Sequence, residues 1–239
     1  MRKKLYEYGL IINESRIHIK SDDEKAIFEA VKEIKRHREE LVNYVKEYPE
    51  FQYALKPLKG LPEAPTVVKI MAAASEIAGV GPMAAVAGAL ADIGLKALLR
   101  NGAETALVED GGEIAAFVNR PLSVSILSAD QDVSGKFGLL ITREECPIGI
   151  ATSSGKTGHA VSFGEADSVT VVADNAALAD AAATAVCNSV IGVDIEKSVQ
   201  LGIERSKAIK GVRGIIITRE GYTGVTGKLP RIIKIKEQL

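Results

Sequence analysis

The residues best suited to chemistry stand in the stretch 165–188, EADSVTVVADNAALADAAATAVCN. Within it, Asp180 and Thr184 are four positions apart in an alanine-dense segment. Alanine is the strongest helix former, so the segment predicts a helix from Asn175, its N-cap, to about Ile191. Positions i and i+4 share one helical face. The pair then sets a carboxylate oxygen beside a hydroxyl oxygen, a donor set that suits Mg2+ when phosphate oxygens complete the shell. The plainer alternative is an Asp that caps or meets water, and a Thr that bonds back to its own helix. Spacing alone leaves both open.

A second dense stretch runs from Cys146 to His159, CPIGIATSSGKTGH. Thr152, Ser153 and Ser154, followed by Gly155, offer hydroxyls and a bare backbone to an anion or a ring. Walker A spacing is absent, so this is not a P-loop; the alternative is a polar connection between strands. Asp110-Gly-Gly-Glu113 reads as a β-turn, with Gly111 and Gly112 either closing a hairpin or approaching a ligand. Cys146 is either a nucleophile or persulfide carrier, or a small buried apolar side chain. Reactivity would require a lowered thiol pKa. Cys187, inside the alanine helix, reads as packing, and His18 and His37 as surface or packing residues.

The elements that must position these groups follow from periodicity. Leu5–Ile12 and Arg16–Lys20 predict a hairpin. Ser21-Asp-Asp-Glu24 reads as a capping box opening a helix whose apolar face is Ile27, Val31, Ile34, Leu41, Val42 and Val45. Residues 48–65 read as a loop, Pro65–Ala78 as a helix stopped by Gly79, and Ala84–Leu99 as a second alanine-rich helix. Strands are expected at Thr105–Glu109, Glu113–Val118, Leu122–Leu127, Phe137–Thr142, Ser168–Val172, Val212–Thr218 and Leu229–Ile235, with a helix at Asp194–Ile209 and a glycine-rich tail at Tyr222–Gly227. Clustered strands and blocks of helices predict an α+β fold of antiparallel sheets with packed helices, a single domain over 1–239. Gly88-Ala-Leu-Ala-Asp92 also echoes Ala177-Leu-Ala-Asp180.

The chain has 239 residues, with 30 basic against 31 acidic. That balance argues against nucleic acid or an anionic membrane as partner. The N-terminus has no apolar run behind its positive residues, which predicts no signal peptide. Met83–Leu99 carries Asp92 and Lys96 and reads as too short to span a bilayer. Two cysteines make neither a disulfide framework nor a zinc pattern. The expectation is a soluble, cytoplasmic protein with a small-molecule ligand; self-association is compatible with it.

The run strand, Ala-Asp, then Ala177-Leu-Ala-Asp-Ala-Ala-Ala-Thr-Ala185 resembles the C-terminal motif of the ApbE-like proteins, the FAD:protein FMN transferases. Asp110-Gly-Gly-Glu-Ile114 is similar to the family's glycine loop. Ile150-Ala-Thr-Ser-Ser-Gly155 is similar to its A-x-S-G segment, and His159 stands where the family places a histidine. Val80-Gly-Pro-Met-Ala-Ala-Val-Ala-Gly88 resembles a cytoplasmic branch of unknown function found largely in anaerobes. The resemblance implies a T-fold-like architecture, two related α/β units around a cleft, and an Mg2+ held by Asp180 and Thr184 against the pyrophosphate of FAD. It implies flavin or nucleotide contacts from Gly111, Gly112, Thr152, Ser153, Ser154 and Gly155, a site role for His159, and phosphoryl or FMN transfer. One departure puts FMN transfer in question: His159 is followed by Ala-Val-Ser-Phe-Gly164, where the transferases carry Asp-Pro-x-Thr-Gly. The alternatives are a sulfur-assimilation protein working through Cys146, which the branch's association suggests, and a flavin-binding protein without turnover.

Overall fold

The computed structural model describes residues 4–12, 14–126, 128, 134–156 and 162–235. The chain opens with the hairpin β1 (Tyr6–Ile12) and β2 (Ser15–Ser21). Helices α1 (Glu24–Glu47), α2 (Pro49–Tyr53) and α3 (Thr66–Ala78) follow, then a 3-10 turn (Pro82–Ala85) leading into α4 (Val86–Arg100). Next come β3 (Ala106–Asp110), β4 (Glu113–Phe117), β5 (Leu122–Ser125), β6 (Phe137–Ile141) and β7 (Ile148–Ser153). The last third holds β8 (Ser168–Ala173), α5 (Ala176–Cys187), α6 (Ile195–Lys207), β9 (Val212–Arg219), β10 (Tyr222–Gly227) and β11 (Arg231–Lys234).

Eight strands form one sheet in the order β1-β2-β3-β4-β7-β8-β9-β10, antiparallel throughout. It divides into two units of like order, β1β2–helices–β3β4 and β7β8–helices–β9β10, which meet where Ile114 pairs with Ile150. The α+β expectation and its two related units hold. A second sheet, β11-β6-β5, is also antiparallel.

Side chains alternate across a strand. Val169, Val171, Ile215 and Ile217 therefore face the helices and pack with Ala177, Leu178 and Ala181. Leu107, Ile114, Ile150, Val172 and Ile216 face the other way, onto Val124, Leu139 and Ile141 of the small sheet. The main sheet thus has helices on one face and the small sheet on the other.

Several boundaries differ from the sequence reading. The stretch from Cys146, read as a ligand-contact segment or a polar connection and not as a strand, holds β7 at the centre of the sheet. Gly149 hid it, and a glycine is required there: a Cβ would lie 2.0 Å from the Asn175 carbonyl carbon. The glycine-rich tail is β10, paired to β9, and the 48–65 loop holds the one-turn helix α2. Helix α5 ends at Cys187, not Ile191. Helix α1 is capped by Asp23, whose side chain accepts from the Ala26 N–H at 3.0 Å; Ser21 instead accepts from the Asp23 N–H at 3.1 Å. Pro82–Arg100 is long and apolar enough to cross a membrane by length and composition, although 61% of its most apolar stretch is buried inside the fold.

Candidate functional site

Helix α5 is set by its ends and its thin surface. The Asn175 side chain accepts from the Leu178 N–H at 2.9 Å, and the alanines bring the helix down onto β7 and β8. Helix α4 crosses it in equally close contact. At Gly88 a Cβ would lie 2.2 Å from the Ala176 carbonyl oxygen.

On either side of that crossing each helix holds the start of the other. Asp180 Oδ2 accepts from the Gly88 N–H at 3.0 Å. Asp92 Oδ1 and Oδ2 accept from the Ala176 and Ala177 N–H groups, both at 2.9 Å. A helix start carries unpaired N–H groups and positive potential, so a carboxylate there is favourable. The repeated Gly/Ala…Asp spacing in the sequence is the trace of this exchange.

Asp180 and Thr184 lie on α5 as expected, Thr184 being 8% exposed. Three more carboxylates surround Asp180, and sequence reasoning gave none of them a site role. Burial pushes Asp180 up to about 7, the negative charges of Asp110 and Asp92 add to it, and the Gly88 and Ala87 N–H groups oppose it. Burial raises Glu113 well above the usual carboxylate range, and Asp180 and Asp110 raise it further. Asp110 is pushed up to about 6 by burial, against the Ser15 hydroxyl, which donates to it at 3.0 Å, and the charge of Arg38. Asp92 is pushed up to about 6 by burial, against its two backbone donors. Like charges crowded in a poorly solvated place favour their protonated forms unless a cation joins them.

Among the described residues no group of three or more His, Cys, Asp or Glu is arranged to hold a metal ion alone. A cation here would need oxygens from a ligand as well. The donors fit a hard cation: carboxylate and hydroxyl oxygens, further carboxylates crowded around them, and no thiolate or imidazole among them.

On the opposite face of the sheet lies a cleft of about 760 Å³ between the main sheet and β5. Gly111, Gly112, Thr152 and Ser154 line it. Their hydroxyls belong to a polar row: Thr152 Oγ1 lies 2.9 Å from Thr170 Oγ1, Ser168 Oγ 2.7 Å from Thr218 Oγ1, and Ser128 Oγ 3.3 Å from Thr218 Oγ1. Leu107, Ile114, Leu122 and Val124 give the cleft an apolar wall. At its far end stand His18 and Lys20, the latter 3.0 Å from Glu7. From sequence His18 reads as a surface or packing residue and Lys20 as a strand residue; the long-range pairing of β2 with β3 carries both to the cleft.

The turn between β3 and β4 connects the two regions. Gly111 and Gly112, at φ 69° and 120°, take the left-handed backbone that a two-residue hairpin requires. They face the cleft, whereas strand alternation puts Asp110 and Glu113 on the helix side with Asp180.

Other expected site residues fall elsewhere. Ser153 faces the helices, where its hydroxyl hydrogen-bonds Cys187. Gly155 is held by backbone packing, its N–H bonded to the Ala166 carbonyl at 3.0 Å. His159 lies outside the described residues. Cys146 Sγ accepts from the Val118 N–H at 3.3 Å and donates to the Thr142 carbonyl at 3.4 Å, and burial pushes its thiol up. Cys187 is buried and likewise raised by burial. A thiol so placed is a weak nucleophile at neutral pH. Iodoacetamide should therefore leave both cysteines of the folded protein largely unmodified near pH 7, read by mass spectrometry. Fast labelling of Cys146 alone would show a thiolate these contacts do not provide for.

Solved structures share this architecture. The flavin transferase ApbE from Vibrio cholerae aligns with a TM-score of 0.60 over 94% of this chain and 97% of its own, at 15% identity. The ApbE protein from Thermotoga maritima aligns with a TM-score of 0.56 over 94% and 97%, at 16% identity. In sequence, UPF0280 protein MK0206 of Methanopyrus kandleri is 39% identical over 97% of this chain and 95% of its own length. UPF0280 protein MJ1526 of Methanocaldococcus jannaschii is 37% identical over 98% and 96%. The family model described as AbpE bacteria matches residues 2–210, and the chain belongs to that family.

Proposed function

We propose that this protein binds a flavin dinucleotide in the cleft, with its pyrophosphate at the glycine turn and a Mg2+ held by Asp180 and Thr184. The turn 110–113 carries the reading, because it joins the hydroxyl-lined cleft to the crowded carboxylates. The cleft draws its lining from β2, β3, β4, β7 and β8. Four strand spacings make roughly 19 Å, a length that suits a dinucleotide better than a mononucleotide. Its volume is that of ordinary ligand pockets. The ApbE neighbours, named as flavin transferases, support a flavin as the ligand class.

A bound Mg2+ would supply Lewis-acid polarisation of a phosphoryl oxygen. The chain's own groups do the rest. The apolar wall and hydroxyl row orient a planar ring with polar edges. Gly111 and Gly112 let a phosphate approach the backbone. Glu113, whose carboxyl is raised well above the usual carboxylate range by burial and by the charge of Asp180, flanks the turn on the helix side.

Flavin fluorescence tests the reading. FAD should bind with Mg2+ present, weaken when the metal is chelated, and bind more tightly than riboflavin. Riboflavin binding as tight as FAD would contradict it. Because the segment after His159 departs from the transferases, FMN transfer to an acceptor peptide should stay well below the roughly 1 per second typical of enzymes. Transfer at that rate, measured by covalent flavin on the peptide, would restore the transferase reading.

A further inference from the structure

We propose that Asp92 is a positioning residue for the Asp180–Thr184 pair, acting by fixing where α5 begins against α4; this rests on the reading of that pair as a cation site. Asp92 sits on α4, but both its carboxylate oxygens are engaged by α5, through the N–H groups of Ala176 and Ala177 at 2.9 Å. Asp180 sits on α5, one turn beyond those donors, and is engaged by α4 through the Gly88 N–H at 3.0 Å. Between the two clamps the helices touch backbone to backbone, leaving no room for even a methyl at Gly88.

The geometry couples the clamps. Two donors on one carboxylate fix both the height and the rotation of α5 at its first turn. The next turn carries Asp180, and Thr184 follows one turn further on the same face. Most side chains around them are alanine, with Leu178 and Val186 the larger ones packed into the core. The polar clamps therefore set the fine rotation of the helix. With Asp92 intact, one Asp180 oxygen is committed to Gly88 and the carboxylate plane is set. Without Asp92, α5 can turn about its axis, and both oxygens of the pair lose their shared aim. Bound ions demand that aim, since Mg2+ requires near-ideal octahedral geometry.

The test uses Asp92→Asn in the full chain, which keeps the size but turns an NH2 group toward one of two N–H donors. Amide exchange followed by NMR reads the clamp. The Gly88 N–H should exchange about tenfold faster, while the core amides of Val171 and Ile217 stay within about twofold. Calorimetry with ADP reads the consequence: the gain in affinity from adding Mg2+ should fall about tenfold, with metal-free affinity unchanged. If Asp92→Asn does not fold, Asp92→Ser, which can accept from only one donor, carries the same comparison. Unchanged Gly88 exchange overturns the proposal, as does an equal rise at all three amides, which would mark a merely structural role. A loosened Gly88 with the Mg2+ gain intact overturns it too. If the unaltered protein shows no Mg2+ gain, the cation reading of Asp180 and Thr184 fails, whereas the Gly88 exchange still decides whether Asp92 sets the position of Asp180.

Discussion

Gly88→Ala is expected to destabilise the protein by about 3 kcal/mol, the upper range for overpacking a buried contact. The added methyl would meet the Ala176 carbonyl oxygen at 2.2 Å, the Ala176 carbonyl carbon at 2.5 Å and the Ala177 nitrogen at 2.7 Å. All three are backbone atoms at the start of a helix, so no rotamer change relieves them. The helices must separate, and both carboxylate clamps lengthen as they do. For a chain of this size the change lowers Tm by about 6 to 12 °C. Gly9→Ala is the control: a Cβ there meets nothing within 4 Å. Its effect should lie within about 0.5 kcal/mol. A Gly88→Ala protein melting with the control would mean that the helix crossing tolerates slack.

Without a metal, the protein is expected to lose stability as pH rises from about 4 to 7. Asp180 sits near 7 in the folded chain, and Asp92 and Asp110 near 6, all raised chiefly by burial from an ordinary value of 3.8. Between the two values the folded state holds protons that the unfolded chain has released. Stability then falls with pH, fully favourable below about 4 and lost as pH passes the folded values. Glu7 and Glu33 run the other way, held low by Lys20 and by Arg36. Their contribution is lost only in more acid solution, as pH falls through their lowered values, and it is small because both pairs face solvent. Each tenfold difference in proton affinity between the folded and unfolded chain corresponds to about 1.4 kcal/mol. Denaturant unfolding with a chelator present should therefore show less stability at pH 8 than at pH 4.5, by on the order of 3 kcal/mol, and Asp180→Asn should remove the largest single share. A flat or rising profile would mean that these carboxylates are better solvated or paired than the fold indicates.

The centre of the site was readable because its signals are local. Val169 to Val172 is a β-branched run, Asn175 is a strong cap, and the alanines leave little choice but helix. The hairpin turn at Gly111–Gly112 was equally plain. What escaped depends on long-range pairing. β7 is punctuated by Gly149 and ends in hydroxyls, which look like loop until the Asn175 backbone is found against one face and the Thr170 hydroxyl on the other. β10 carries Gly224 and Gly227, and only its pairing with β9 makes it a strand. Glu113 looks like an ordinary turn-flanking acid, and only the folded chain brings the charge of Asp180 to bear on it. Ser153 and Ser154 are adjacent in sequence, yet the pleat sends them to opposite faces.

Asp180 and Thr184 are too few to hold a metal alone, and the residues around them supply charge but no complete shell. Calorimetric titration of Mg2+ into the protein, alone and saturated with FAD, tests this most directly. The predicted result is metal binding only when FAD is present, and its loss in Asp180→Ala. Equal Mg2+ uptake with and without FAD, or undiminished uptake by Asp180→Ala, would contradict it.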